Sequence, residues 1–408
     1  ALSPSIFFVS VSSVIRGYFN GRQNLKATAN SQTLEQIFKT CLTIIFVAIL
    51  SSISSSNTVI MAAGANLATT FSTFLSFSYL YLYYGERKQE IAQDIKFSKD
   101  YKQDRIKTII KTILSVSIPI SLSSLMSVIT KNIDALTVVS ELKEFMPEAQ
   151  AKLQYGILAG KVDTLTALPL SFNIAFATAL VPVIAAAKKI GNLKEAKSKT
   201  EISLLITILI GLPCTFGMFV FSKQILNLLF PNANSGEFLL QISSLTILFT
   251  VTTQTINGAL QGLGKIGVPA MALGIGVIIK LILNIILIRI PEIGVYGAAI
   301  SSVCCHFVAF IIGITVLIKN MNLKLDFSKF ITKPIIATSV MIIFTSYIYE
   351  ILSKIAIERL ATVISLTIAV IIYLILIIFL KIFTKEEFYM MLGKTKLAKT
   401  LKTLRYIK

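Results

Sequence analysis

Apolar stretches recur along this chain, separated by short polar breaks. Eleven stand out: residues 5–18 (span A), 28–50 (B), 59–84 (C), 109–134 (D), 155–187 (E), 202–221 (F), 238–260 (G), 268–288 (H), 297–318 (I), 334–349 (J) and 361–383 (K). Runs of about 20 apolar residues are what a helix needs to cross a hydrocarbon layer of roughly 30 Å. The pattern predicts an all-α polytopic membrane protein.

The pattern also repeats. Residues 255–287, TINGALQGLGKIGVPAMALGIGVIIKLILNIIL, align with residues 14–46, VIRGYFNGRQNLKATANSQTLEQIFKTCLTIIF, at an offset of 241. The identities include Ile15/Ile256, Gly17/Gly258, Gly21/Gly262, Ala29/Ala270, Lys39/Lys280 and Leu42/Leu283. Gly17 and Gly21 in the first copy, and Gly258, Gly262 and Gly264 in the second, read as helix-turn glycines. GANLATT from Gly64 then resembles GAAISSV from Gly297 after a further eight-residue shift. Spans D, E and F precede the glycines of the second copy, whereas 16 residues precede Gly17. Repeat logic therefore expects roughly 130 further residues, with about three spans, ahead of Ala1. That completes 14 helices: two parallel-repeat six-helix lobes and a final pair, with eleven present. The expected division is 1–103 for the rest of the N-terminal lobe, 104–318 for the C-terminal lobe, 319–384 for the final pair and 385–408 for a basic tail.

Composition agrees. The chain is 54% hydrophobic and 14% charged, with 39 Lys and Arg against 20 Asp and Glu. Its mean hydropathy is +0.78. A formal charge of +19 would suggest nucleic acid in a soluble protein. Here the cations sit in loops, as the positive-inside rule expects, and no nucleic-acid partner is implied. Lys and Arg crowd the C–D, E–F and I–J loops and the tail after K. The rule places these, with the A–B and G–H turns, in the cytoplasm and Ala1 outside. The tail interleaves leucines with lysines and reads as an interfacial helix on anionic lipid or as a solvated extension. Cys41, Cys214, Cys304 and Cys305 lie in apolar runs without metal-ligand spacing, and no metal or cofactor is implied. His306, the sole histidine, reads as a packing or cavity-lining residue.

A charge in hydrocarbon costs at least about 2.5–3.5 kcal/mol, so each needs a reason. Glu35 and Lys39 stand four apart on span B and read as a structural ion pair. Lys280, the repeat mate of Lys39, has Gly276 where Glu35 would be, and lies about 18 Å into span H. It either pairs across the repeat interface, with Glu35 as one partner, or faces a wet cavity. Lys131, Asn132 and Asp134 fall toward the outer end of span D. Lys161, Asp163, Pro169 and Asn173 mark span E. Spans D and E are antiparallel neighbours. Their polar groups either line one cavity or pair for registry, Lys131 with Asp163 or Lys161 with Asp134. A basic cavity suits an anionic group such as a diphosphate, which makes Lys161, Lys280, Lys131, Asn132, Asp134 and Asn173 candidate substrate-binding residues.

At RGYFNGRQNLKATANSQTLEQ, ISLSSLMSVITKNID and INGALQGLGKIGVPA the sequence resembles the stage V sporulation protein B and polysaccharide-biosynthesis flippases. These belong to the multidrug/oligosaccharidyl-lipid/polysaccharide exporter superfamily, with the murein lipid II flippase among their relatives. The resemblance implies transport of an undecaprenyl-diphosphate-linked saccharide across the cytoplasmic membrane by alternating access. It also implies that the chain starts at the family's fourth helix. A family arginine position falls near Lys161, although the spacing to Pro169 differs. The J–K pair often offers a groove for the lipid tail, where Phe330, Phe344, Tyr347 and Tyr349 would fit.

The partners expected are the lipid-linked saccharide, membrane lipids and a coupling cation, with the chain acting as a monomer. A cation-coupled multidrug exporter of the same superfamily is the alternative; it calls for unpaired carboxylates deep in the lobes. A membrane-embedded polysaccharide polymerase or ligase is more remote. The external loops are short and contain no His, which argues against an enzyme.

Overall fold

The computed structural model describes residues 2–22, 24–53, 58–97, 105–231, 233–323, 325–355 and 357–384. The tail at 385–408, read above as interfacial helix or solvated extension, lies outside them. The described residues form α1 (Ser3–Gly21), α2 (Leu25–Ile53), α3 (Thr58–Glu86), α4 (Lys88–Phe97), α5 (Ile106–Leu142), α6 (Glu148–Gly156), α7 (Asp163–Lys189), α8 (Leu193–Val220), α9 (Ser222–Leu229), α10 (Glu237–Gly262), α11 (Gly267–Ile288), α12 (Tyr296–Met321), α13 (Lys333–Ile355) and α14 (Glu358–Phe379). A π-helical turn, Ile157–Val162, joins α6 to α7, and another, Ser328–Thr332, leads into α13.

Ten helical segments among the described residues are long and apolar enough to cross a membrane, against eleven expected. The difference is span A. It forms α1, but five serines and Arg16 in 19 residues dilute its hydropathy. Three short helices, α4, α6 and α9, lie largely outside the eleven apolar spans. Of these, α4 carries Lys88, Glu90, Asp94 and Lys96 in its ten residues, a density that masks its helical pattern.

The chain packs as two units, Ala1–Ile106 and Lys107–Lys408. In the first, α1, α2 and α3 close on a small core of Phe19, Ala27 and Leu80. Arg22 at the end of α1 bonds Asp94 of α4. In the second, one apolar cluster joins α7, α8, α10 and α12 to α13 and α14 through residues such as Ile184, Leu205, Leu260 and Met341. A second cluster joins α5, α9, α10, α11 and α12 around Leu142, Leu226, Leu240 and Ile288.

Helix α11 shows how lipid inverts the usual packing. Its buried side carries Ala272, Gly276, Lys280, Asn284 and Ile288, while Ile278, Ile282 and Ile286 are exposed. Lipid solvates isoleucine as well as a protein core does, so small and polar residues turn inward where they pack and bond.

The glycines need correction. Gly17 lies inside α1 and Gly258 inside α10, while Gly21 and Gly262 are the last residues of those helices; neither Gly17 nor Gly21 has anything near a Cβ. Gly264 alone of the five sits in the turn, at φ +77°. Gly258 abuts the Ala177 carbonyl, and a Cβ on Gly262 would stand 2.9 Å from the Val181 carbonyl. They are a small-xxx-small face that brings α10 onto α7.

The repeat offset does coincide with helix ends. α1 stops at Gly21 and α10 at Gly262, 241 positions on. A Cβ on Gly64 would lie 3.7 Å from the Cβ of Phe46, and one on Gly297 2.8 Å from that of Leu287. Phe46 and Leu287 are again 241 apart.

Candidate functional site

The site begins with the length of α5. Span D was expected to end at Asp134, but α5 continues to Leu142. Asp134 is therefore eight residues, about 12 Å, from the helix end rather than at it. Lys280 is likewise eight residues short of the end of α11. Both are buried, Asp134 at 7% exposure and Lys280 at 1%.

They meet. Lys280 Nζ donates to Asp134 Oδ2 at 2.5 Å and to the Thr130 carbonyl at 2.9 Å. Asn284 Nδ2 donates to Asp134 Oδ1 at 3.0 Å and to Thr137 Oγ1 at 2.9 Å. Further along the two helices, Arg289 Nε donates to Glu141 Oε2 at 2.5 Å, which raises the guanidinium pKa. Thr130, Asp134, Thr137 and Glu141 recur at helical spacing on α5, as do Lys280 and Asn284 on α11, so the bonds form a ladder. A polar ladder suits a helix in lipid, where apolar contact gives little net drive to associate.

The ladder corrects two expectations. The Lys280 partner is Asp134 of its own unit, not Glu35. Glu35 itself bonds Arg16 NH2 at 2.9 Å, and Lys39 is exposed rather than paired with it. Arg16 also donates to Ser31 Oγ at 2.9 Å and Ser76 Oγ at 2.8 Å. A planar guanidinium on α1 reaches α2 and α3 at once, which a lysine one turn along α2 does not match.

Beside the ladder lies a cavity of about 380 Å³ within the second unit. Its ionisable side chains are Lys131, Asp134, Asp163, Lys280 and His306, and Gln254 and Asn257 add amides. Two lysines thus face two aspartates, and the cavity is charge-balanced rather than basic. Lys131 and Asp163 form no ion pair among the described residues, while Lys280 and Asp134 neutralise each other. Around them stand the hydroxyls of Ser123, Ser124, Ser127, Thr130, Thr166, Ser243, Thr246, Thr250, Thr253 and Ser302. Several donate to main-chain carbonyls one turn back, among them Ser124, Thr130, Thr250 and Ser302. Their lone pairs then remain to accept from a guest.

Three candidates lie elsewhere. Lys161 belongs to the π-helical turn. It donates to the Ala233 carbonyl and lies 5.5 Å from the Phe230 ring centroid, holding the loop between α9 and α10. Asn132 is exposed and absent from the cavity wall. Asn173 is fully buried. Its amide donates to the Val251 carbonyl at 2.7 Å and to Gln254 Oε1 at 3.1 Å, and accepts from Thr207 at 3.0 Å. It ties α7, α8 and α10 together. Pro169 lies within α7 without ending it.

A second, apolar cavity of about 670 Å³ opens between α8, α13 and α14. Leu209, Pro213, Phe221, Met341, Tyr373 and Ile377 line it, with Lys381 at one end. The four aromatics expected at such a groove do not. Phe330 is in the core, Phe344 and Tyr347 are exposed, and Tyr349 packs edge-on against Phe221.

The polysaccharide biosynthesis protein model matches residues 1–188, and the MatE model matches residues 159–286. Stage V sporulation protein B of Bacillus subtilis is 26% identical over 306 residues, 74% of this chain and 57% of that protein. The lipid II flippase MurJ of the same organism is 24% identical over 318 residues, 76% of this chain and 58% of that one. The chain thus spans less than two thirds of the length of these curated relatives. The solved lipid II flippase MurJ, in its inward closed conformation, superposes with a TM-score of 0.58 at 17% identity, covering 92% of this chain and 71% of that chain.

Proposed function

From the premise that this chain is a member of the polysaccharide biosynthesis/MOP superfamily, related to stage V sporulation protein B and MurJ, we propose that it is a flippase. Its cargo is an undecaprenyl-diphosphate-linked saccharide, carried across the cytoplasmic membrane by alternating access. The observation that carries this reading is the charge-balanced, hydroxyl-lined cavity of about 380 Å³ enclosed by membrane-spanning helices. A hydroxyl that donates to its own helix keeps lone pairs free to accept from a guest, and ten hydroxyls ring this one cavity. A neutral polyhydroxyl guest matches that lining better than a bare diphosphate. The apolar cavity of about 670 Å³ against α14 suits a polyprenyl tail.

The same reading takes the coincident helix ends at Gly21 and Gly262, and the paired contacts of Gly64 and Gly297, as support for parallel repeats. On it, 1–103 and 104–318 belong to two lobes, 319–384 to the final pair, and 385–408 to a cytoplasmic tail.

The test is flipping of fluorescent lipid II in proteoliposomes. On this reading Asp163→Asn removes a charge, and Asn257→Ala an amide, that the cavity offers to a guest, and each should slow flipping about tenfold at unchanged incorporation. Unchanged flipping in both would exclude this cavity from the path. Asp163, a cavity carboxylate with no ion pair among the described residues, favours a second reading as a cation-coupled multidrug exporter. Drug efflux from loaded vesicles, lost in Asp163→Asn while lipid II stays unflipped, would select it.

A further inference from the structure

Lys39 stands at the middle of α2. The helix runs Leu25–Ile53, so about 21 Å of helix, at 1.5 Å per residue, separates it from either end. A four-carbon stem does not carry an ammonium that far to either membrane surface. Lys39 is exposed and forms no ion pair among the described residues, since Glu35 is taken by Arg16 at 2.9 Å. Away from their ends, α1, α2 and α3 carry only Arg16, Glu35 and Lys39 as charged residues. The first two cancel, and Lys39 leaves one uncompensated positive charge in mid-helix. Hydrocarbon does not hold such a charge; water or an anion does.

The neighbours of Lys39 share its polarity. At 3.6 residues per turn, Gln32, Gln36, Lys39 and Thr43 fall within about 60° of arc. Gln32, Gln36 and Lys39 are exposed, and Thr43 is half-buried. A second exposed side is apolar and carries Ile37, Cys41 and Ile44. A third side packs on α1 and α3. There the Ser31 hydroxyl accepts from Arg16, the Ser31 carbonyl accepts from Ser76, and Phe46 abuts Gly64. Helix α2 therefore has one face for protein, one for lipid, and one made of two amides, an ammonium and a hydroxyl. Groups of that kind stay solvated or find partners.

We propose that this polar face of α2 lines a water-filled path through the bilayer, and that Lys39 holds the phosphate-bearing end of the cargo there. The ammonium supplies charge, and Gln36 and Gln32 supply N–H donors one and two turns before it. The cavity of the second unit is charge-balanced and offers a diphosphate no net positive charge. The identity of the anion rests on the flippase reading; access of water to the face does not.

The experiment is thiol labelling of the full chain in lipid nanodiscs, with anionic and cationic methanethiosulfonates that do not enter hydrocarbon, read peptide by peptide by mass spectrometry. Native Cys41, on the apolar side of α2, is the internal control and should stay unmodified. Gln36→Cys and Thr43→Cys should react. The anionic reagent should modify Gln36→Cys at least about threefold faster than the cationic one, relative to free thiol, and inorganic pyrophosphate should slow the reaction. Lys39→Gln should remove both effects without closing the position to label. The proposal fails if Cys41 reacts as fast as Gln36→Cys. It fails if neither introduced cysteine reacts, since another helix or a second copy then covers the face. It also fails if Lys39→Gln leaves the charge preference and the pyrophosphate effect in place. Thr43→Cys carries the same measurements should Gln36→Cys not fold. Lipid II flipping is read separately, and should fall in Lys39→Gln and persist in Lys39→Arg. A wild type that flips no lipid II while the labelling pattern holds would remove the flippase reading and leave the anion site standing.

Discussion

Gly258 of α10 rests on the main-chain carbonyl of Ala177 in α7, so closely that a Cβ has no room. Gly17, 241 positions earlier, has nothing within 4 Å of a Cβ position. One glycine thus serves packing and the other does not. Gly258→Ala should cost about 1–3 kcal/mol through forced separation of the helices. Gly17→Ala should be neutral or stabilising by up to about 1 kcal/mol, since alanine is the better helix former. Thermal unfolding of the two variants side by side checks this.

Asp134 and Lys280 should behave as a unit. Asp134→Ala leaves a buried, uncompensated ammonium and should destabilise by about 3–5 kcal/mol. Asp134→Asn/Lys280→Met removes both charges at similar volume and should recover most of that loss. Monodispersity on heating, followed by size-exclusion chromatography, separates the outcomes. Equal damage in the single and double variants would mean that the pair is not coupled.

Asn173 joins three helices, and its loss should be felt in folding. Asn173→Ala removes its bonds to the Val251 carbonyl, Gln254 and Thr207 together, while Thr207 keeps the Ser203 carbonyl and Thr255, and should cost about 1–3 kcal/mol. Thr207→Val keeps the shape and should cost less. Chemical unfolding monitored by tyrosine fluorescence reports both.

In the first unit, Glu35 should depend on Arg16 and not on Lys39. A double-mutant cycle of Arg16→Gln with Glu35→Gln should give a coupling above about 0.5 kcal/mol, while Lys39→Ala should lie within about 0.5 kcal/mol of wild type. Coupling of Glu35 to Lys39 instead would restore the one-turn pairing.

Lys161 should act on a loop. Lys161→Ala frees the Ala233 carbonyl and the Phe230 ring, so hydrogen exchange should rise through residues 230–236. Transport should change far less than in Asp163→Asn. A transport defect without altered exchange would return Lys161 to the substrate path.

Fold class was legible from the chain because lipid imposes a length and a composition on every crossing helix, whatever its neighbours. The offset of 241 read from the chain coincides with two helix ends, at Gly21 and Gly262. Legible too was the need of Lys280 and Asp134 for a partner, because a charge in an apolar run always needs a reason. Partner choice was not. Lys39 is four residues from Glu35, yet the guanidinium of Arg16 reaches it from another helix. Asp134 looked peripheral until α5 proved eight residues longer than its apolar run, which placed it level with Lys280. Asn173 and Lys161 share a span, but one turns into a three-helix junction and the other toward a loop carbonyl. Hydrophobicity acts residue by residue and can be read from a string. A hydrogen bond needs two groups within about 3 Å at the right angle, and only the packing of distant helices brings them there.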